Sequence, residues 1–462
     1  MEQKMQKLQT NIRLGFGRQI GFGLGEFAGQ FFFSFWSSYL SVYYTDIVGI
    51  APAVVSAIFM IARIWDAVND PVFGNIADRH RHKKFGRYRP WILFGTPILA
   101  ILSILMFHVP DAAPNEMKII YITITYILAG MAFTAVNIPY MSMQSTLTTN
   151  PQSRMNISAM KSAFTCVGTV VLNLVAMPCI LKFGNGQQTG NAYFFTAILF
   201  TVFGVILYYI TFASTKEVYY PEQQQTHVGL KGTFQYIFGN KYLLIVMFGL
   251  LFSMLSMFTR IGIAVYYYIY CMQQPTMVGI FMVIPPLVGI LPTYLLPKLK
   301  ISKKILVIIA LLGQAASLFV IFALDYTNMK AIVIWLIIYG FFSYQHGIVF
   351  GMVAPAIDDA EVKKNIRLDG TAFAFANLFN KVASAVGPAV GLLIMGALGY
   401  IANAQQTAGA LRGINIATNI VPAVFALVGV IPFLLYNLND DKIAENSRIL
   451  AERHGVQKAE EE

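Results

Sequence analysis

Residues 59–79 read FMIARIWDAVNDPVFGNIADR. Asp66 and Asp70 are four apart, so a helix places them on one face. Arg63 stands three residues before Asp66 on the same side, and Asn69 is adjacent. Their neighbours are apolar enough to lie in a bilayer, where ionisable groups are costly and face partners or water. Two carboxylates at this spacing offer hard oxygen ligands to a small cation, and their mutual repulsion raises the affinity for a proton or Na⁺. A structural salt-bridge network with Arg63 and Lys381 is the simpler alternative, and cation binding could release such pairing. Other polar groups sit in apolar stretches: Glu26 and Gln30 (again one turn apart), Asn137, Lys161, Arg260, His346 and Lys381. They suit hydrogen bonding to a polyhydroxylated substrate, with aromatic faces for sugar rings. Plainer roles exist for some: His346 as a helix-packing residue, and Asn137-Ile-Pro-Tyr140 as a proline kink.

The elements that must carry these groups follow from composition. Of 462 residues, 56% are hydrophobic and 12% charged, against roughly 25% charged in a soluble protein; mean hydropathy is +0.60. Soluble enzymes, nucleic-acid binders and disordered chains fit poorly. No Ser/His/Asp, metal or phosphate-loop constellation argues for an enzyme. Cys166, Cys179 and Cys271 lie in or beside apolar segments, so neither a disulfide framework nor a metal cluster is expected.

A spanning helix needs about 20 mostly apolar residues. Twelve stretches qualify: 20–46, 51–77, 90–109, 117–146, 156–181, 191–213, 242–271, 275–297, 304–325, 331–356, 371–399 and 413–436. The sequence predicts an all-α membrane protein of two pseudo-symmetric six-helix bundles, 1–213 and 242–437. A central cytoplasmic loop at 214–241 joins them, and a tail at 438–462 is expected to be short and amphipathic or disordered. YLSVYYTDIVG and VYYYIYCMQQP close helices 1 and 7 about 223 residues apart, a weak internal echo of the kind transporters show. The polar N-terminus is not a signal peptide.

With both termini inside, the inner segments hold 25 of the 33 Lys and Arg, and the outer loops hold four: Lys118, Lys182, Lys330 and Arg412. The other four, Arg63, Lys161, Arg260 and Lys381, fall within helices. That asymmetry fits a plasma (cytoplasmic) membrane protein with both ends in the cytoplasm. It accounts for the net charge of +11 without nucleic acid.

The segment GNIADRHRHKKFGRYRP (Gly74–Pro90) is similar to the loop motif of the major facilitator superfamily. YYTDIVGI, ARIWDAVNDP, KKFGRYRPWILFG, VNIPY, NPQSR, IRLDG and LFNKVASAVG follow in the order found in its glycoside–pentoside–hexuronide cation symporter family. The chain resembles that family, to which the melibiose and glucuronide permeases belong, over nearly its whole length. The resemblance implies the major facilitator fold, alternating access and cation-coupled sugar uptake, with Na⁺ or H⁺ as coupling ion and no other cofactor.

Asp66, Asn69, Asp70 and Thr134 match the family's cation-site positions, and Lys381 matches a lysine bordering that site. Gln30 and Asn137 replace aspartates of the melibiose pattern, and Lys161 replaces an arginine, which weighs against galactosides. Glu26, Gln30, Asn137, Lys161, Arg260 and Lys381 are the candidate substrate groups. Three intramembrane acids (Glu26, Asp66, Asp70) stand against four bases. One bound cation brings the excess to about +2 if all are ionised, which leans toward a hexuronide. Neutral pentosides or glucosides are the alternative, and a non-transporting sugar sensor is a second class. The protein is expected to function as a monomer.

Overall fold

The computed structural model describes residues 13–79, 82, 84–148, 151–218, 236–296, 301–364, 369–402 and 404–453. Much of the expected central loop, as well as Arg81, Lys83, Lys298, Lys300 and Arg367 of the basic loops, lies outside them. The described residues are almost wholly helical: α1 (Phe16–Val42), α2 (Pro52–Arg79), α3 (Arg89–Met106), α4 (Asn115–Leu147), α5 (Pro151–Phe183), α6 (Gly190–Ser214), α7 (Lys241–Tyr266), α8 (Val278–Leu295), α9 (Lys303–Ala323), α10 (Met329–Phe341, then Gln345–Gly351 and Val353–Lys364), α11 (Asp369–Ala397), α12 (Ala408–Asn415 and Val421–Leu434) and α13 (Asp440–Arg453). Ten of the segments are apolar and long enough to span a membrane unaided. Of the three that are not, α13 is the polar tail helix, and α1 and α2 are 27 and 28 residues long. They carry Gln19, Glu26 and Gln30, and Arg63, Asp66, Asn69 and Asp70. Polarity marks them as the helices that hold the site.

The chain divides into two compact units. The first comprises Met1–Gln224 with Ala264–Val283 and Gly396–Leu411; the second comprises Gln225–Ile263, Ile284–Met395 and Arg412–Glu462.

In the first unit α1 packs through glycines. A Cβ on Gly25 would stand 2.4 Å from the Tyr140 ring of α4, and one on Gly168 of α5 would stand 2.8 Å from Gln30. Bare backbone lets α1 approach both neighbours closely. Tyr140 then donates its hydroxyl to the Phe22 carbonyl at 2.8 Å. Both α1 and α7 run on into a five-residue π turn, Tyr43–Ile47 and Tyr267–Cys271. The aromatic echo in the sequence is therefore a conformational echo. Asp46 in the first turn is buried. It accepts hydrogen bonds from the hydroxyls of Thr45 at 2.5 Å and of Tyr270 and Tyr400, so neutral donors satisfy a desolvated carboxylate.

Glu217, just beyond α6, fixes the loop before α3. Its carboxylate accepts from the backbone N–H groups of Arg87 (2.9 Å), Tyr88 (2.8 Å) and Arg89 (2.9 Å). Gly86 makes room for it: its φ is +94°, and a Cβ there would stand 2.9 Å from the carboxylate. Glu217→Ala removes three bonds to a charged acceptor in a buried setting. The expected cost is about 3 kcal/mol, seen as a loss of several degrees in the apparent melting temperature of the purified protein. Glu217→Gln should fall between. An unchanged melting temperature in the alanine variant would contradict this anchoring role.

In the second unit, α10 is broken where one continuous span over 331–356 was expected. A tighter turn at Phe342–Tyr344 interrupts it. Just before the break, Gly340 meets the Pro285 backbone of α8 so closely that a Cβ would lie 2.8 Å away. Beyond it the buried Gln345 amide meets that of Gln314 at 2.8 Å. Gly340 and Ser343, whose hydroxyl donates back to the Tyr339 carbonyl at 3.1 Å, are residues of the kind at which helices bend. The tail is helical from Asp440 to Arg453 and packs on the end of α10. Leu450 is buried, and Asn446 donates to Asp359 at 3.4 Å.

Candidate functional site

On α2, Asp66 is 6% exposed and Asn69 7%. Asp66 accepts from Arg63 Nη1 at 3.1 Å. One turn along, Asp70 Oδ1 accepts from Thr134 Oγ1 at 2.9 Å. Tyr126, Gly130 and Thr134 are spaced by four, so α4 turns one stripe toward α2. Gly130 sits between the two polar residues, and a Cβ there would lie 3.1 Å from Asp66 Oδ1. Nδ2 of Asn69 is buried with no partner among the described residues. The oxygen atoms of Asp66, Asp70 and Thr134 thus lie along one facing stripe of α2 and α4, with Asp66 held by Arg63. A small cation could compete with Arg63 for Asp66 while taking Asp70 and Thr134 as further ligands.

A second cluster lies in the same unit. Lys161 Nζ of α5 is 3.6 Å from Glu26 Oε2 of α1, and the two side chains are 21% and 17% exposed. Gln30 Oε1 accepts from Ser34 at 2.6 Å and from Thr169 of α5 at 3.3 Å. Asn137 of α4 is half-buried, and its Nδ2 donates to the Met141 sulfur at 3.8 Å. Glu26, Gln30 and Lys161 are thus brought together between α1 and α5, with donors and acceptors side by side.

Arg260 and Lys381 belong to the second unit. Arg260 is 4% exposed; Nη1 donates to Asn419 Oδ1 at 2.7 Å and to the Thr418 carbonyl at 3.3 Å. Its guanidinium lies 4.8 Å over the Tyr339 ring. Lys381 is half-buried on α11. His346 Nδ1 lies 3.1 Å from the Ser343 carbonyl. An apolar groove of about 520 Å³ opens along α2, α3 and α4, lined by Phe73, Trp91, Phe94, Ile98, Leu128 and Ala135 among others.

The profile described as MFS/sugar transport protein matches residues 21–440. The chain belongs to that family. It is 31% identical over 431 residues to the isoprimeverose transporter of Lactiplantibacillus pentosus, covering 92% of this chain and 89% of that one. It is 28% identical over 445 residues to the glucuronide carrier protein homolog of Escherichia coli, covering 94% and 95%. Among solved structures, a bacterial homologue of the human lysosomal transporter Spinster superposes with a TM-score of 0.68 at 11% identity, covering 91% and 95%. This last likeness concerns fold alone. As a member of the MFS/sugar transport protein family, the chain is a multi-pass membrane transporter of sugars with the major facilitator fold, not an enzyme.

Sequence reasoning found the charged groups because charge is rare in apolar helices. It missed Glu217, Asn419 and Gly130. Glu217 looks like an ordinary loop acid, and the role of a glycine or an amide emerges only when helices are paired.

Proposed function

We propose that the protein imports a glycoside together with a cation, Na⁺ or H⁺, and works as a monomer in a bacterial cytoplasmic membrane with both termini inside. The observation that carries the coupling is the facing of Asp66 and Asp70 on α2 with Gly130 and Thr134 on α4. A site that holds Asp66 through Arg63, with Asp70 and Thr134 paired one turn away, can exchange these pairings for a bound cation. The 25-to-4 division of Lys and Arg supports the orientation. A reporter fused after Lys231 should read cytoplasmic and one near Asn185 external.

Glu26, Lys161, Gln30 and Asn137 supply the sugar contacts in this proposal. The Glu26–Lys161 pair offers an acceptor and a donor to vicinal hydroxyls without net charge. Because Lys161 already has a counter-charge, it does not by itself call for an acidic sugar. A bond to a charged group contributes roughly 1.5–3 kcal/mol, so Glu26→Gln or Lys161→Met should weaken sugar binding by about 10- to 150-fold.

Competition of pentosides, glucosides, hexuronides and galactosides against one labelled substrate in membrane vesicles tests the class. Neutral β-xylosides and glucosides should compete best. Strong competition by hexuronides alone would refute the neutral-glycoside reading and leave the symporter intact. Saturable binding without uptake would favour a sensor.

A further inference from the structure

The membrane-spanning part of the second half carries positive charge with no acid to balance it. No Asp or Glu occurs at 241–324, 326–357 or 370–439. The acids of that half stand at the ends of helices: Asp325 between α9 and α10, Asp358, Asp359 and Glu361 at the end of α10, Asp369 at the start of α11, and those beyond 439. Arg260, in the middle of α7, is nonetheless 4% exposed.

Its surroundings satisfy half of it. Nη1 has two acceptors, the Asn419 amide oxygen and the Thr418 carbonyl. The latter two belong to a π turn, Ile416–Ile420, inside α12, a geometry that often marks functional sites. The Tyr339 ring contributes its negative face. Nη2 is buried with no hydrogen-bond partner, and among the described residues no carboxylate pairs with Arg260. A buried cation without a counter-ion is strongly unfavourable, and dipoles and a ring face offset this only in part.

We propose that Arg260 Nη2, with Tyr339 and the Asn419 region of α12, forms a binding site for a small monovalent anion of halide size. The closeness of the site sets the size. Asn419 and Thr418 are fully buried beside a guanidinium that is almost so, and so enclosed a setting suits a compact ion. The carboxylate of an acidic sugar has the same chemistry, and the test must separate the two. The anion site is independent of the cation-coupled reading, since neither Asp66 nor Asp70 takes part in it.

The experiment measures thermal unfolding of the purified full-length protein at constant ionic strength. Chloride or bromide replaces isethionate, and parallel samples receive methyl β-D-glucuronide or methyl β-D-glucoside. Binding to the folded state raises the midpoint with ligand concentration, so chloride and bromide should each raise it by several degrees. Arg260→Gln should abolish the shift. Asn419→Asp places a carboxylate within 2.7 Å of Nη1; this internal counter-ion should also remove the halide response while keeping a cooperative melt, which guards against misfolding of the glutamine variant. Bromide anomalous scattering beside Arg260 gives a direct check on the unaltered protein.

No halide response in the wild-type protein, or an equal response in both variants, would overturn the proposal. A response to the glucuronide but not to halides also overturns it and assigns Arg260 to the substrate. Labelled glycoside uptake, measured separately in halide-free vesicles, reports on the transport reading whichever way the anion result falls.

Discussion

Changing Asp66 or Asp70 to Asn is expected to abolish concentrative sugar uptake. Each substitution keeps the shape of the side chain and removes the negative charge that makes it a hard ligand. Replacing a charged partner by a neutral one loses about 2.7 kcal/mol, within the range for such bonds, or roughly 100-fold in cation affinity. At ordinary cation concentrations that empties the site. The two variants should differ in a second respect. Asp66→Asn leaves Arg63 without its 3.1 Å partner in a largely buried position, so it should also lower stability. Asp70→Asn keeps an acceptor for Thr134 and should lose coupling. Downhill exchange of sugar should survive in Asp70→Asn. Initial rates and steady-state accumulation, with Na⁺ varied at fixed pH and then pH varied at fixed Na⁺, check all of this. Continued accumulation with normal ion dependence in both variants would remove these residues from the coupling site.

The second large effect comes from a residue with no side chain. Gly130 lets α4 lie against Asp66, where an added Cβ would be 3.1 Å from Oδ1. Alanine demands a shift of a few tenths of an ångström and should raise the cation concentration for half-maximal uptake several-fold. Valine adds two methyl groups with little rotamer freedom. It should crowd and desolvate the carboxylate, costing roughly 1–3 kcal/mol as overpacking does, or about 10- to 100-fold in cation affinity. Sugar binding at Glu26 and Lys161, on α1 and α5, should suffer much less. Equal losses of sugar and cation affinity in Gly130→Val would show that α4 is generally displaced rather than the cation site blocked.

Much of this arrangement was legible in the sequence because the signals are strong and local. An aspartate in an apolar helix is costly enough to demand an explanation, and the i, i+4 spacing of Asp66 and Asp70 already fixes a common face. Long apolar stretches marked most helix ends to within a few residues, including the π turns that close α1 and α7; α10 instead runs on to Lys364, beyond the expected 356, through a polar stretch. What escaped depends on pairings between distant segments. Glu217 reads as a lone acid beside Lys216, yet it binds three amides about 130 residues away. The break in α10 at Phe342–Tyr344 lies at Gly340 and Ser343, beside α8 and the Gln314–Gln345 pair, and a glycine and a serine in an apolar run do not announce it. The pairing of Lys161 with Glu26 was open in the sequence, where both were simply polar groups available to a sugar. The tail, expected to be amphipathic or disordered, is helical over Asp440–Arg453, where Leu450 and Asn446 find partners.

The central claim is that sugar and cation move together through the site on α2 and α4. The most direct measurement is cation entry driven by sugar alone. Proteoliposomes are equilibrated with equal cation concentrations on both sides, excess glycoside is added outside, and ²²Na⁺ entry and internal pH are followed. The expected result is inward movement of one of the two cations in fixed ratio to sugar, absent in Asp66→Asn and Asp70→Asn vesicles. Sugar entry with no accompanying cation flux in the wild-type protein, or an undiminished flux in the two variants, would contradict it.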